Sequence, residues 1–257
     1  LAIRKPAVTN QLSKSWAMKK KVWHPVIGHP EIRFGQYIVP NFVSNSVAIQ
    51  VDKQEFVIVS PGAPLLSDWP AQWRTSETMI HIIMPNCFHY MGVEKWRTEF
   101  PNHALYTSKA AIPVLIKKGV VKDAQEIHAL EDKSPPLPDG YSILFPPGHR
   151  GSDVWFKKYN KQTKTSLWIT CDSFLNYEKV SNQPIARAMQ KLLGAAPGLK
   201  ISQVIKWLLL DDKKSFKNWV LVQIAKDKPT TLIPGHGEIA QNENLPDQLQ
   251  ALILNRL

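Results

Sequence analysis

The order of its segments constrains this chain more than any single motif: strands come first and helices afterwards, and the sequence does this twice. In the first half Ile32–Val39 reads as a strand ended by Pro40. Ser46–Val51 alternates, and Phe56–Val59 is a continuous apolar run stopped by Pro61-Gly62. A helical stretch over Ser67–Glu77 follows, then a short strand His81–Met84 and one or two helical turns at Val93–Glu99. A strand His103–Tyr106 and a helix Lys109–Lys118 closed by Gly119 end this half. The second half restarts with a weak strand over Ala124–Leu130 and a strong one at Tyr141–Phe145. A hairpin then pairs Val154–Tyr159 with Ser166–Thr170 around Asn160–Thr163. Helices at Gln183–Leu193, Ser202–Leu210 and Ser215–Lys226, a strand at Thr230–Ile233 and a helix at Leu245–Arg256 complete it. A sheet covered by helices on one face must bury the other. Two such halves packed sheet to sheet give an α/β fold, a four-layer αββα sandwich. Residues 1–30 mix Lys, Pro and Trp without a period and read as an N-terminal arm, leaving 31–257 as one domain.

Four of the expected strands run into short loops that carry histidine or aspartate. They are Pro85-Asn86-Cys87-Phe88-His89, Pro146-Pro147-Gly148-His149, Cys171-Asp172 and Pro234-Gly235-His236-Gly237. Strands fix the roots of such loops, while Pro and Gly turn the backbone sharply enough to bring distant side chains together. Imidazole nitrogen and carboxylate oxygen suit zinc, iron or manganese. Taken singly, each of these histidines is more often a hydrogen-bonded structural residue than a ligand. The four in this order form the stronger signal.

The same segments resemble the metallo-β-lactamase superfamily over roughly residues 32–240. Asn45–Ile49 with Val57-Ile58-Val59-Ser60-Pro61-Gly62 is similar to the family's opening strands, and Pro147-Gly148-His149 with Gly151-Ser152 to its Pro-Gly-His segment. Thr170-Cys171-Asp172-Ser173-Phe174 resembles its Thr-Gly-Asp-x-Phe segment, and Ile233-Pro234-Gly235-His236-Gly237 its last histidine motif. The resemblance implies the αββα sandwich and metal-binding roles for His89, His149, Asp172 and His236. The signature His-x-His-x-Asp-His is reduced here to Met84-Pro85-Asn86-Cys87-Phe88-His89, so only its last histidine survives, and Ser60 stands where the family commonly has aspartate. His89, Asp172 and His236 then remain from the second metal site and His149 from the first. The expectation is one divalent ion at most: zinc, with iron and manganese as alternatives, or none. The implied chemistry is attack of a metal-activated water on an ester, thioester or amide carbonyl, with Asp172 or His149 positioning the water or taking its proton. Asn86, Arg150 and Lys109 are candidates for gripping an anionic substrate, although turn or surface roles are the commoner fate of such residues. Cys87 and Cys171 offer thiolate ligands or a redox pair, with small core fillers as the ordinary alternative.

A net charge of +11 favours anionic partners, a small anionic substrate first and nucleic acid second. The Lys clusters at 19–21, 157–164 and 213–217 are short and scattered, which fits solvated faces better than one binding track. No apolar run is long enough for a transmembrane segment. Two cysteines make a disulfide framework implausible and a reducing, cytoplasmic setting the expectation. Oligomeric state leaves no signature. Two readings therefore stand: a hydrolase with a reduced metal site, and a non-catalytic relative acting as a binding or scaffold protein.

Overall fold

The computed structural model describes residues 21–39, 42–150, 152–180, 182 and 184–257; Pro40, Gly151, Gln183 and residues 1–20 of the expected arm lie outside them. Strands β1 (Trp23–Val26), β2 (His29–Val39), β3 (Phe42–Asp52), β4 (Glu55–Val59), β5 (Met79–Met84), β6 (His103–Thr107) and β7 (His128–Ala129) form one sheet in sequence order. Pairing is antiparallel from β1 to β4 and parallel from β4 to β7. The irregular lead-in expected for residues 1–30 thus ends by Trp23. Its indole N–H donates to the Leu65 carbonyl at 3.1 Å, and burying that apolar ring outweighs the lack of a clear strand period.

Eight further strands follow: β8 (Tyr141–Leu144), β9 (Trp155–Asn160), β10 (Thr165–Ile169), β11 (Leu175–Tyr177), β12 (Gly198–Lys200), β13 (Pro229–Ile233), β14 (His236–Gly237) and β15 (Ala240–Gln241). The second sheet has the order β15-β13-β10-β9-β8, and β12-β11-β14 make a small third one. The helices are α1 (Val93–Glu99), α2 (Ile112–Lys117), α3 (Pro184–Leu192), α4 (Lys213–Asp227) and α5 (Leu245–Arg256).

Period-two alternation explains the layering. Val57, Val59, Leu167, Ile169 and Ile233 enter the core shared by the two sheets, while Phe56, Ile58, Trp168 and Leu232 face the outer layers. The central strands are apolar on both sides because both sides are covered. One outer layer packs Trp23, Trp69, Trp73, Trp96 and Phe100 with α1 and α2; the other packs Trp155, Phe174 and Phe216 with α4 and α5. This is the four-layer αββα sandwich. No helix of the described residues is long and apolar enough to cross a membrane.

Three expected elements take other forms. The helix over Ser67–Glu77 is replaced by two 3-10 turns, Ala63–Asp68 and Ala71–Trp73. Pro70 lacks the N–H a helix needs and drives the residue before it, Trp69, to an extended ψ of 128°. Residues 124–130 divide into a 3-10 turn capped by Asp123 and the two-residue β7. The Ser202–Leu210 helix contains a π-turn, Ile205–Leu209.

Candidate metal centre

The site forms where strands of both sheets end at one edge. β5 delivers the Pro85–His89 loop, and the Val154 amide donates to the Pro85 carbonyl at 2.8 Å, stitching that loop to the second sheet. β10 delivers Asp172, and β13 delivers His236. The backbone of the Pro234–Gly237 loop is gripped by first-sheet amides. Asn45 Nδ2 donates to the Pro234 and Gly237 carbonyls at 2.7 and 2.9 Å, and Gln36 Nε2 donates to the Gly237 carbonyl at 2.7 Å. Gly237 is required there: its φ is +91°, and a Cβ would lie 2.0 Å from the Asn176 carbonyl oxygen.

Three donor atoms converge. Asp172 Oδ1 lies 3.1 Å from His89 Nε2 and 3.0 Å from His236 Nε2. The far nitrogen of each ring is also held. His236 Nδ1 donates to the Val43 carbonyl at 2.9 Å, and His89 Nδ1 meets Ser60 Oγ at 2.5 Å. Ser60 itself sits in the left-handed region, φ 57°, which is costly for a residue with a Cβ. It is fixed there by its amide to the Ile83 carbonyl at 2.9 Å and by Ser46 Oγ, which donates to its carbonyl.

This geometry demands positive charge. A carbonyl can only accept, so His236 Nδ1 carries a hydrogen, and a neutral ring would then turn a bare lone pair on Nε2 toward the carboxylate. Two imidazole nitrogens and a carboxylate oxygen are stable at this spacing only with protons or a metal ion between them. Donors that share an ion at ~2.0–2.1 Å lie roughly 3 Å apart, close to what is found here. Oriented Nδ1 atoms are the usual support of ligating histidines. The residues therefore fit a single divalent ion. Burial alone would depress the His89 imidazole, but the Asp172 carboxylate outweighs it and holds the ring above its ordinary value. Burial would raise Asp172; the two imidazoles hold it well below the usual carboxylate range instead.

At the level of sequence, no family model and no curated protein matches the chain. Solved structures do. DIM-1 metallo-beta-lactamase aligns over 91% of this chain and 98% of its own at a TM-score of 0.55 and 13% identity. The mono-zinc form of metallo-beta-lactamase FIM-1 from Pseudomonas aeruginosa gives 93% and 97%, TM-score 0.56 and 14% identity. The metal-soaked Flv1 flavodiiron core from Synechocystis sp. PCC6803 gives 91% and 60%, TM-score 0.58 and 13% identity. The chain has the metallo-β-lactamase fold.

Within this metallo-β-lactamase fold, the candidate residues separate. His89, Asp172 and His236 come together. His149 does not join them: its side chain is fully buried with Nε2 3.3 Å from Asp153 Oδ2, near enough for a charge contact but out of hydrogen-bond alignment. Its loop turns at Gly148, whose carbonyl accepts from the Asp211 amide and whose φ is +68°. Asn86 is fully buried, and its amide is saturated within the protein. Nδ2 donates to Asp153 Oδ1 and Asp172 Oδ2, both at 2.8 Å, and Oδ1 accepts from the amides of Phe88 at 2.8 Å and His89 at 3.1 Å. It has no capacity left for a substrate. Arg150 is exposed and off the cavity wall, and exposed Lys109 pairs with Asp132 at 3.4 Å.

Asp153 was not legible as a site residue; nothing in its spacing marks it. Burial pushes its carboxyl up, only partly offset by His149 and by hydrogen bonds from Asn86 and Ser173, and the Asp172 charge adds to the rise. Asp153, Cys171 and Asp172 make a second group of potential ligands. Burial, with Asp172 and Asp153 adding, pushes the Cys171 thiol far up. Asn86 bridges the two carboxylates where another ion would have to sit. Both cysteines are free and buried. Lys118, also missed, braces the ligand loop by donating to the Cys87 carbonyl at 2.8 Å beneath the Phe88 and Tyr90 rings.

Asp172 and His236 open onto a cavity of about 230 Å³, with half-exposed Phe88 at its rim. Its wall is otherwise mostly aliphatic and, among the described residues, contains no Lys or Arg. The positive charge of the chain therefore does not supply this cavity with an anion grip.

Proposed function

We propose that the chain is a metal-dependent hydrolase of ester, thioester or amide bonds working with one divalent ion held by His89, Asp172 and His236. Zinc suits the donor set, and iron or manganese can occupy the same two-His-one-carboxylate arrangement. The observation that carries the reading is the convergence of three donor atoms whose imidazoles are each oriented from behind, by Ser60 and by the Val43 carbonyl. When bound, the ion supplies Lewis acidity, lowering the pKa of water and polarising a carbonyl.

The residues of the chain do the rest. His89 and His236 are locked with Nε2 toward the cavity edge. Asp172 keeps Oδ2 on Asn86, so only Oδ1 is left to hold the ion and to orient a water beside it. The water oxygen joins the acyl carbon, the carbonyl–heteroatom bond breaks, and the proton passes to the departing oxygen, sulfur or nitrogen. Phe88 and the aliphatic wall exclude bulk water. His149 is sealed from the cavity and supports Asp153 instead.

Metal analysis of protein purified without added metal tests this. The expected result is about one equivalent of a divalent transition metal, lost in His236→Ala together with hydrolysis of nitrophenyl esters. Absence of metal in the wild-type protein, or equal retention by His236→Ala, overturns it. One observation favours the non-catalytic reading: the Asn86 bridge and the sealed His149 turn half of the pocket into packing. That reading expects metal without turnover on any ester, thioester or amide.

A further inference from the structure

The cavity beside Asp172 and His236 is walled by Leu175, Met189, Leu193, Val204, Ile205 and Leu209, contributed by β11, α3 and the segment that follows it. Besides Asp172 and His236 the wall carries three polar side chains, all engaged: Tyr177 Oη donates to the Val43 carbonyl at 3.4 Å, Ser202 Oγ accepts the Ile205 amide at 3.2 Å, and Gln190 has an interaction of its own. A sugar, nucleotide or phosphate placed here would lose its hydration with little in return. A hydrocarbon chain would lose nothing polar and would bury apolar surface.

Size sets the length. An apolar cavity of ~150 Å³ takes six-carbon benzene, so about 230 Å³ takes roughly eight to ten carbons. The polar end of the cavity is also the candidate metal centre. The outer faces of the same walls continue the apolar character: Ile185, Leu192, Trp207 and Leu208 are all more than 60% exposed. The elements that wall the cavity thus carry apolar side chains on their outer faces as well.

We propose that the substrate is an ester or thioester of a medium-chain acyl group. Its eight- to ten-carbon tail fills this cavity, and its carbonyl lies at Asp172 and His236. The proposal rests on the hydrolytic reading for its reactive end and on the cavity alone for its tail.

Two measurements separate these. The first is binding of neutral 1-alkanols, butanol to dodecanol, followed by calorimetry; it needs no turnover. Affinity is expected to rise about fourfold per methylene and to level off near eight to ten carbons. The second is kcat/KM for nitrophenyl esters from acetyl to dodecanoyl, expected to favour octanoyl or decanoyl over acetyl by at least tenfold. Met189→Trp fills the cavity from its half-exposed rim, and Leu193→Trp fills it from within. Each should shorten the preferred chain by several carbons, and Val222→Ala, exposed on α4 and off the wall, should leave both series unchanged. Should no ester turn over while alkanol binding behaves as described, the cavity assignment stands and the hydrolytic reading falls. A flat alkanol series, or a chain-length response that survives both Trp variants in folded protein, overturns the proposal.

Discussion

Truncating Asn86 to alanine tests whether one amide holds the candidate centre together. Asn86 is fully buried and makes four hydrogen bonds, two of them to carboxylate oxygens at 2.8 Å. Hydrogen bonds to charged groups contribute about 1.5–3 kcal/mol each, and each backbone N–H left without a partner costs about 1–3 kcal/mol. The gross loss is thus roughly 5–12 kcal/mol. Water entering the vacated space, and a proton taken up by Asp153, reduce the net cost to about 3–5 kcal/mol. With a urea slope near ~3 kcal/mol/M for a chain of this size, the unfolding midpoint should fall by roughly 1–1.7 M. Tryptophan fluorescence is the natural probe, because Trp155 Nε1 donates to Ser173 Oγ at 3.1 Å, and that hydroxyl donates to Asp153. Asn86→Asp, which keeps the shape but loses both donors, should be at least as damaging at neutral pH. A midpoint shift under ~0.3 M for Asn86→Ala, equivalent to about 1 kcal/mol, would refute the reasoning.

Two further outcomes concern the scaffold. Lys157 Nζ meets the buried Asp227 carboxylate at 3.0 Å, so Lys157→Met should lower stability by about 3–5 kcal/mol in urea unfolding, and adding Asp227→Leu should recover most of it. Equal stability of the single and double variants would contradict this. Glu31 on β2 accepts from Tyr141 Oη of β8 at 2.8 Å and from Lys158 Nζ of β9 at 2.5 Å, tying the two sheets together. Burial would raise this carboxyl, but Lys158 and Tyr141 hold it below its ordinary value. A carboxyl depressed by folding stabilises fully above its unfolded value of ~4.3 and loses that contribution as pH falls through the folded value. Glu31→Gln should therefore cost about 1–2 kcal/mol at pH 7 and progressively less below about pH 4.3; thermal melts from pH 3 to 7 with a constant gap would contradict it.

The strand-first, helix-later order was readable because Val57–Val59 and Ser166–Thr170 carry their burial on their faces, and the sandwich follows from that alone. Three members of the candidate centre were readable because they stand in short loops where a strand must end, those of His89 and His236 opened by Pro85 and Pro234. That His149 would stand against Asp153 was not readable, because its place depends on where the 209–212 segment lies against Gly148, a tertiary contact with no local signature. Asp153 and the Val43 carbonyl left no trace, since a buried carboxylate and a backbone acceptor acquire meaning only from what packs beside them. Nor did the +11 charge forecast the site: lysine ammoniums stay in water, and the cavity wall comes from residues spread between 175 and 209.

The clasp on the Pro234–Gly237 loop bears on the order in which this molecule takes shape. Asn45 and Gln36 reach partners 189 and 201 positions away, so the closure entropy for those contacts falls due only after both halves exist and have met. The tilt of one imidazole is dictated by a carbonyl belonging to the opposite half. Competence at the centre is therefore a property of the finished assembly: a separated half, however well it folds, lacks His89 or lacks both Asp172 and His236.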